Sequence, residues 1–544
     1  MPPKPNSAEV RCGRAGIFWL LCLSAPLAAQ TGSVQGKVTE TLHGKPVGEA
    51  LVSVQSTGAT SAGARDLYTT VTDAQGRYQE VGLPPGKYSA LATRQGFVSA
   101  SSAFVSPDRA AGQTATLDLE LTPCAAIAGR VLDSLGEPVR NVSVQAMQYV
   151  YHSGKHVLEN ASPVAGQSDD RGEYRLYNLR PGRYYLLATW RDRSFLLRAN
   201  ERIVNAPQRT GFIATYYPDA SDAARAAPLQ VGPAEELTKT DIHLQSSALY
   251  TIRMVAAATD SYFTMHARGA SPVAASAGET FFTSIVDGVW TAQNVPPGSY
   301  MVSGTARMAG GGQGAMTYSR QVVEVRNRDV ELPAPTPISS FDASVSVQVK
   351  GTALSRMTAR ALVLQPDEPG TVISTTVSAA GTFILRDVLP QSYQLRYDSP
   401  PGFYLKRIKL GEREVSDSTL DFSDGPAPLL LVLATDGGRV EGSVGNVAAG
   451  EAAQLQIVLV PDGAQRNLKD AVADETGRYR FEDVAPGAYR LYAFTGAENG
   501  APLDPEYRKT FQQKSVAVKV EPGGVVTVAL QPIRASPRAD GTER

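Results

Sequence analysis

The sequence predicts an all-β protein in which five tandem antiparallel β-sandwiches follow a signal peptide. The main observation is a block that occurs five times: a glycine, an aromatic residue two positions later, a proline at plus nine and a tyrosine at plus twelve. The blocks begin at Gly76, Gly172, Gly288, Gly381 and Gly477, which lie 96, 116, 93 and 96 residues apart. A recurring spacing indicates one structural unit used repeatedly.

The second observation is that short alternating runs of polar and apolar residues fill each unit. In the first unit these runs include SVQGKVTE, YTTVTDAQGRYQEV and TATLDLELT, bounded by Gly, Pro or Asp. This pattern is typical of β-strands with one buried face. About seven such strands in roughly 95 residues predict a two-layer sandwich.

The block positions divide the chain into a signal peptide, five modules and a disordered tail. Modules 3 and 4 are the divergent copies, and module 2 carries an extended loop. The expected ranges are 1–29 for the signal peptide, 30–122, 123–246, 247–335, 336–437 and 438–534 for modules 1 to 5, and 535–544 for the tail.

Composition excludes binding that is driven by net charge. The chain has 52 Lys and Arg against 53 Asp and Glu, so its formal net charge is −1. Such a balance gives no field that would draw in nucleic acid or an anionic membrane. An apolar content of 42% also argues against general disorder.

The N-terminal segment has the pattern of a secretory signal. Lys4, Arg11 and Arg14 precede the apolar run GIFWLLCLSAPLAAQ, and cleavage is expected near Ala29. An uncleaved anchor is disfavoured because the run is shorter than the ~20 residues of a bilayer span. A lipoprotein cleaved before Cys22 is disfavoured by the bulky residues that precede it. The expected location is periplasmic, outer-membrane-associated or extracellular, with no membrane span in the mature chain.

Cysteine use indicates that packing, and not disulfides, holds the modules together. Cys12 and Cys22 fall within the signal, which leaves Cys124 alone in the mature chain. A single thiol cannot form an internal disulfide. A buried structural role is favoured over a reactive nucleophile, because no histidine lies close in sequence.

The first half of the block predicts a turn followed by a buried strand. Asp73, Asp170 and Asp474 are expected to cap turns in which the block glycine takes a positive φ. One face of the strand that follows should be buried. The aromatic residues expected there are Tyr78, Tyr174, Trp290, Phe383 and Tyr479.

The second half of the block predicts a tight corner. A Pro-Gly pair suits the centre of a type II turn, and a tyrosine hydroxyl two residues later can bond back across the loop. In the fourth copy Gln391 replaces the glycine before Tyr393, so that turn should differ. The regular corners are Pro85, Gly86 and Tyr88; Pro181, Gly182 and Tyr184; Pro297, Gly298 and Tyr300; and Pro486, Gly487 and Tyr489.

These residues resemble the carboxypeptidase regulatory-like domain of tandem secreted bacterial proteins. The matching parts are the openings at Gly36, Gly129 and Gly442, the strands PVGEALVSV and PVRNVSVQA, and the glycine-to-tyrosine block. The resemblance implies a transthyretin-like or prealbumin-like sandwich, related in architecture to immunoglobulin-like sandwiches. It also implies an accessory role without catalysis.

Tyrosines of the long second module are the candidate ligand contacts. Tyr149, Tyr151, Tyr216 and Tyr217 could form an exposed aromatic platform for sugar rings. The alternative, favoured by the pattern, is that they pack the extra loop onto the sandwich. Modules 2 and 5 both carry such additional segments beyond the core pattern.

The candidates for chemistry are weak. His152 and His156 in HSGKH have a four-residue spacing, but Gly154 intervenes and the flanks indicate strands, not a zinc helix. The run around Gly310 lacks the Lys-Ser or Lys-Thr of a phosphate loop. Asp169 and Asp170 are more typical of a solvated turn than of a calcium site. Lys37 has no asparagine partner for an isopeptide bond in TATLDLELT. From these candidates together, no catalytic residue, cofactor or metal is predicted.

The sequence therefore favours a non-catalytic exported structural or interaction protein. Its expected partner is an extracellular or envelope protein, or a polysaccharide, and not nucleic acid. The alternative is a carbohydrate-binding protein, because the fold resembles starch-binding-like sandwiches and module 2 is rich in tyrosine. Function should lie where the copies differ.

Overall fold

A computed structural model describes most of the chain. The described residues are 32–56, 66–84, 88–101, 114–152, 155–161, 165–190, 209–256, 261–268, 282–307, 316–350, 359–366, 372–447, 455–463, 465–474, 476–498 and 500–534. The expected signal peptide and tail lie outside these ranges, as do Pro85 and Gly86 of the first corner. Within the described ranges, no helix has the length and apolar character that a membrane crossing requires.

The chain is an all-β, multidomain protein that divides into two compact units, residues 1–122 and 123–544. The division coincides with the expected boundary between modules 1 and 2. Among the described residues, five large clusters of buried apolar side chains each lie within one expected module. The division of the chain into five modules stays a prediction, and the module numbers below refer to the expected ranges.

Modules 1 and 2 consist of short strands in two sheets each. The strands of module 1 are β1 (Gly32–Glu40), β2 (Leu51–Ser56), β3 (Leu67–Val71), β4 (Arg77–Leu83), β5 (Tyr88–Thr93), β6 (Phe97–Val98), β7 (Ala100–Ser101), β8 (Thr114–Thr116) and β9 (Leu119–Pro123). Those of module 2 are β10 (Ala125–Leu132), β11 (Val142–His152), β12 (Lys155–Asn160), β13 (Gly166–Gln167), β14 (Glu173–Leu179), β15 (Gly182–Trp190), β16 (Arg209–Phe212), β17 (Thr215–Tyr216), β18 (Leu229–Val231), β19 (Glu236–Leu237) and β20 (Ile242–His243), with a 3-10 helix at Ala223–Arg225.

Modules 3 and 4 keep the two-sheet organisation despite their divergence. Module 3 contains β21 (Ser246–Val255), β22 (Ser261–Ala267), β23 (Phe282–Val286), β24 (Val289–Val295), β25 (Gly298–Arg307), β26 (Met316–Val325) and β27 (Val330–Leu332). Module 4 contains β28 (Ile338–Ser339), β29 (Phe341–Lys350), β30 (Arg360–Pro366), β31 (Ile373–Val377), β32 (Thr382–Val388), β33 (Ser392–Tyr397), β34 (Tyr404–Leu410), β35 (Arg413–Val415), β36 (Thr419–Asp421) and β37 (Leu429–Ala434).

Module 5 adds short helical turns to the strands. Its strands are β38 (Gly438–Val444), β39 (Gln456–Pro461), β40 (Lys469–Val472), β41 (Arg478–Val484), β42 (Gly487–Thr495), β43 (Val516–Val520), β44 (Val525–Leu530) and β45 (Ile533–Arg534). Its helices are α1 (Pro505–Lys509) and the 3-10 helices Gln465–Asn467, Ala501–Leu503 and Gln512–Lys514.

One pairing pattern relates all the modules. The first long strand of each module pairs antiparallel with the strand after the block glycine and parallel with a strand at the end of the module; examples are β1 with β4 and β9, and β38 with β41 and β44. Most of the remaining strands form a second sheet, such as β3-β2-β5-β7 in module 1. Module 3 departs from this pattern, because β23 pairs with β24 through the two-residue turn Asp287-Gly288.

The block glycines adopt the left-handed conformation that favours glycine. Their φ angles are 73°, 74°, 72°, 77° and 75° at Gly76, Gly172, Gly288, Gly381 and Gly477. In three modules an aspartate three residues earlier accepts two backbone N–H bonds of the turn. In module 2 that residue is Asp169, so the expectation for Asp170 was wrong by one position: only a side chain at minus three reaches both N–H groups.

A further left-handed residue lies six positions after each block glycine. The φ angles are 80° at Gly82, 56° at Asn178, 60° at Asn294, 56° at Asp387 and 53° at Asp483. At this point each first strand shows a register shift, as between Gly32 and Ser33. Gly, Asn and Asp are the residues that best tolerate this conformation, so the repeat encodes a β-bulge that bends the strand towards the corner.

The corner tyrosines bond back across their loops. The hydroxyls of Tyr88, Tyr184, Tyr300 and Tyr489 donate to carbonyl oxygens four residues earlier, at 2.7, 2.6, 2.9 and 2.7 Å. In module 4 the hydroxyl of Tyr393 instead accepts from Leu389 N at 2.9 Å and from Gln391 Nε2 at 3.1 Å. The replacement of glycine by Gln391 therefore changes the hydrogen bonding of the corner.

Gly182 and Gly298 do not form the expected type II turns. Gly182 and Gly298 lack a positive φ and begin β15 and β25. At Gly298 a Cβ would lie 3.2 Å from the Tyr300 hydroxyl and ring, because that ring folds back over the glycine. Close approach of the tyrosine, and not backbone conformation, accounts for glycine at Gly298.

The aromatic residues at plus two span the core of the regular modules. The Tyr78 hydroxyl donates to Leu117 O at 2.6 Å, and Tyr174 and Tyr479 bond Thr240 O and Val528 O at 2.6 and 2.8 Å. Burial raises the pKa of each of these tyrosines.

The glycines of the opening strands make room for these contacts. Gly36, Gly129 and Gly442 pair with Tyr78, Tyr174 and Tyr479, and a Cβ on each glycine would overlap the carbonyl that the tyrosine bonds. In modules 3 and 4, Met254 and Val345 stand opposite Trp290 and Phe383, which lack the hydroxyl. Glycine in the opening strand and tyrosine at plus two therefore occur together in modules 1, 2 and 5, and both are replaced in modules 3 and 4.

Hydrogen-bonded joints connect modules 2 to 5. Strand β16 of module 2 pairs antiparallel with β21 of module 3. Arg320 of module 3 donates to Gln391 Oε1 of module 4 at 2.7 Å. Arg466 of module 5 donates to three carbonyls of module 4, at 2.7 Å to Val415, 2.9 Å to Ser416 and 3.1 Å to Lys406.

Candidate functional site

The structure brings three of the four candidate tyrosines to the outer face of one sheet of module 2. Tyr149 and Tyr151 alternate on β11 with residues that face the core, and Tyr216 packs beside Tyr149. Burial, followed by the nearby Tyr149 and Asp222, raises the pKa of Tyr216 to about 12. Tyr217 packs against the inner core instead. All four side chains are half-buried.

An imidazole lies between two of these tyrosines. The ring of His156 on β12 stacks on Tyr149 and on Tyr151, each with ring centroids 4.6 Å apart and with interplanar angles of 24° and 29°. Tyr149 also meets Tyr185 edge-on at 5.2 Å. The outer face therefore carries an interlocked aromatic cluster, and ligand contact by these tyrosines stays a prediction.

The extended segment of module 2 covers part of this face. Met147, Leu158, Tyr185 and Leu187 form a second apolar cluster outside the main core. Ala214, Tyr216, Ala223 and Ala226 of the segment pack against it. The segment folds this way because Asp222 caps the 3-10 helix, its carboxylate accepting from Ala224 N at 3.0 Å.

Module 5 has the same arrangement on its corresponding sheet. Val458, Val460, Tyr492 and Phe494 face outwards and are covered by residues of the 501–514 segment, including Ala501, Tyr507 and Phe511. Asp504 caps α1 by accepting from Glu506 N at 2.8 Å, and Pro505 occupies the first helical position. The additional segments of modules 2 and 5 therefore serve as covers for apolar outer faces.

Tyr151 joins the cluster of module 5. Its ring meets Tyr507 at 6.0 Å, and a Cβ on Gly500 would lie 2.9 Å from the Tyr151 carbonyl oxygen. The β11–β12 hairpin of module 2 thus contacts the cover of module 5 within the second compact unit. The Tyr151 ring therefore stacks on His156 and meets Tyr507 at an edge.

The other candidates for chemistry lie partly outside the described residues. In HSGKH, Ser153 and Gly154 lie outside the described residues, and so does most of the glycine-rich run around Gly310. Among the described residues, no group of three or more His, Cys, Asp or Glu side chains could hold a metal ion. Cys124 is a half-buried free thiol whose pKa is raised, chiefly by burial.

Sequence reasoning missed the apolar outer faces and the arginine joints. The signal for the faces was present, since GRYYLLATW and LYAFT are apolar at successive positions and not only at alternate ones. Such runs are typical of strands that are buried on both faces. The joints carry no local signal, because Arg320, Gln391 and Arg466 meet partners 50 to 71 residues away.

Comparison with known families confirms the resemblance for the first module. Residues 33–122 match the carboxypeptidase regulatory-like domain. This range agrees with module 1 and contains the Gly36, Gly76 and Tyr78 arrangement described above. A search of curated proteins finds no match to the chain.

Solved structures with low similarity to the chain include two pilins and a dioxygenase. The minor pilin GBS52 of Streptococcus agalactiae is 12% identical over 39% of this chain and 95% of its own, with a TM-score of 0.23. The shaft pilin SpaA of Lactobacillus rhamnosus GG is 12% identical over 40% and 96%, with a TM-score of 0.19. A chlorocatechol 1,2-dioxygenase of Pseudomonas putida is 16% identical over 17% and 60%, with a TM-score of 0.14. At these TM-scores the likeness carries no argument about function.

Proposed function

We propose that the protein is an exported, non-catalytic scaffold whose sandwich modules hold interaction surfaces for a partner in the cell envelope or outside the cell. The observation that carries this proposal is the set of hydrogen-bonded joints between modules 2 and 5. A strand pair and two arginines connect successive modules there. Tandem domains move independently by default, and we expect these bonds between neighbouring modules to restrict that movement and hold the surfaces in place.

The chemistry of the repeated block supports a structural role. Its tyrosine hydroxyls bond backbone carbonyls inside the modules, and burial raises the pKa of Tyr184, Tyr300 and Tyr489 to about 12. A group that is protonated and bonded to its own backbone is poorly suited to act as a base or nucleophile. The most specific residues of the chain therefore serve folding.

The proposal is tested by cross-linking in intact cells that produce the protein. A membrane-impermeant lysine cross-linker is added, and conjugates are identified by mass spectrometry. We expect conjugates between this chain and envelope or extracellular proteins, located on modules 2 to 5. Conjugates that form only after cell lysis would contradict the proposed location.

Joint rigidity is tested separately with the Arg466→Met variant. If the scaffold role is correct, this variant reaches the cell surface but loses most of its partner conjugates. Tyr177→Ala serves as the control, because Tyr177 is exposed and lies away from the joints. Equal conjugate yields for Arg466→Met and the parent chain would show that partner binding does not depend on this joint.

A further inference from the structure

The outer face of the second sheet of module 3 forms a groove with module 4. The sheet consists of β22, β25 and β26 of module 3 with β28 of module 4 at its edge, and Leu389 and Pro390 of module 4 also line the groove. The groove has a volume of about 180 Å³. Since pockets for drug-sized ligands are about 300–1,000 Å³, this one suits a single small ring.

Strand register places two tyrosines in one row across the groove. Tyr262 on β22 stands opposite Thr305 on β25, and Thr305 stands opposite Tyr318 on β26. Neighbouring strands lie about 4.8 Å apart, so the two tyrosines flank a threonine across roughly 10 Å. Tyr262 is 69% exposed, so its ring is open to a ligand.

The next row of the sheet supplies polar groups. It contains Thr264, Ser303 and Arg320 in register. The guanidinium of Arg320 is held at the wall by the buried Gln391, whose amide also bonds the Tyr393 hydroxyl. The divergent residue of the fourth block thus fixes one side of the groove.

The hydroxyls that a ligand can reach in these rows belong to threonines. Thr264 and Thr305 line the groove and are half-buried. The Ser303 Oγ is buried and is closed to a ligand. Aromatic rings beside hydroxyl groups suit a ligand with one C–H face and a rim of hydroxyls.

We propose that this groove is a saccharide-binding site, in which Tyr262 stacks on the ring of one sugar unit while Thr264 and Thr305 bond its hydroxyls. The lining residues include no carboxylate, and their apolar part is Ile338, Leu389 and Pro390. The site lies in a divergent module and is separate from the four tyrosines of module 2. It goes beyond the scaffold role, because a scaffold functions with or without it.

The test uses the full mature chain on an array of neutral and uronate-containing oligosaccharides. Retained sugars are then titrated in solution by calorimetry. We expect retention at millimolar or lower concentration and about a tenfold weaker dissociation constant for Tyr262→Ala. Thr305→Val should weaken binding about fivefold, because it removes one hydroxyl from the groove. The melting temperature of the free protein should stay nearly unchanged, because Thr305 is half-buried on the outer face of the sheet and valine has nearly the same shape.

Tyr177→Ala is the matched control, since it removes a half-exposed tyrosine of module 2 outside the groove. Its affinity should equal that of the parent chain. The proposal is overturned by an array without any retained sugar, or by equal affinities of Tyr262→Ala and the parent. Loss of binding only in a Tyr216→Ala, Tyr217→Ala double variant would assign the sugar to module 2 instead. None of these outcomes bears on the cross-linking test of the scaffold role.

Discussion

Replacing Gly36 by alanine should destabilise module 1 through the carbonyl that Tyr78 bonds. A Cβ at this position would overlap Leu117 O and would lie 2.6 Å from Leu117 C and 2.9 Å from the Tyr78 ring. The nearest atoms belong to the backbone, so the chain after β8 must move. The backbone of Leu117 is also held in place by a hydrogen bond from Leu117 N to Gln35 O at 2.8 Å.

The magnitude follows from two costs. Forcing an extra methyl into a packed site costs about 1–3 kcal/mol. If the movement breaks the Tyr78 hydrogen bond, leaving its buried donor and acceptor unpaired lowers the free energy of unfolding by about 1–3 kcal/mol more. The expected loss is about 2–6 kcal/mol, a large share of the roughly 5–15 kcal/mol that stabilises a typical domain.

Hydrogen exchange measured by mass spectrometry on the full chain tests this prediction locally. Peptides from β1 and β4 should exchange at least about thirtyfold faster in Gly36→Ala, since each 1.4 kcal/mol is a factor of ten. Tyr78→Phe should show only the part of the destabilisation that comes from losing the hydrogen bond to Leu117 O. Gly82→Asn is the control: its Cβ would meet nothing within 4 Å, and Asn takes the same conformation at Asn178. Unchanged exchange in Gly36→Ala would refute the proposed contact.

Three further outcomes are expected. Asn178→Val should lower the stability of module 2 by about 1–2 kcal/mol in urea unfolding, because a β-branched residue resists its φ of 56°. Gln391→Gly should increase hydrogen exchange in β26 as well as in module 4, because it removes the acceptor of Arg320. Stability should fall from about pH 10 to pH 12, because burial raises the pKa of Tyr300 to about 12: the unfolded tyrosine, with an ordinary pKa of about 10, releases its proton first.

Each of these outcomes has its own check. Asn178→Gly should be nearly neutral where Asn178→Val is not. For the joint, an effect of Gln391→Gly confined to module 4 would show that Arg320 contributes nothing across it. The pH effect is followed by tyrosinate absorbance at 295 nm during unfolding; ionisation of the corner tyrosines near pH 10 in the folded chain would contradict their burial.

The block could be interpreted from sequence because its residues act locally. The positive φ of Gly76 and the carbonyl bond of Tyr88 follow from turn chemistry within a few positions. The bulge at plus six was missed, although Gly82, Asn178 and Asp483 share a tolerance for left-handed backbone. Only comparison of the five copies at that position, and not turn chemistry alone, could have found it.

Long-range contacts could not be predicted from the sequence. The type II turn expected at Gly298 is absent, since this glycine has no positive φ. Its small size is required by the Tyr300 ring, which lies directly over the glycine in space. The role of Gln391 depends on Arg320, which lies 71 residues earlier. For the module 2 tyrosines, the sequence located a surface, but the stacking of His156 between Tyr149 and Tyr151 depends on hairpin register.

The most direct test of the exported scaffold is to isolate the protein from cell fractions and sequence its N-terminus. The account predicts a mature chain that begins near Gln30 and is recovered outside the cytoplasm. A chain that retains its first thirty residues and stays in the cytoplasm would contradict the central claim.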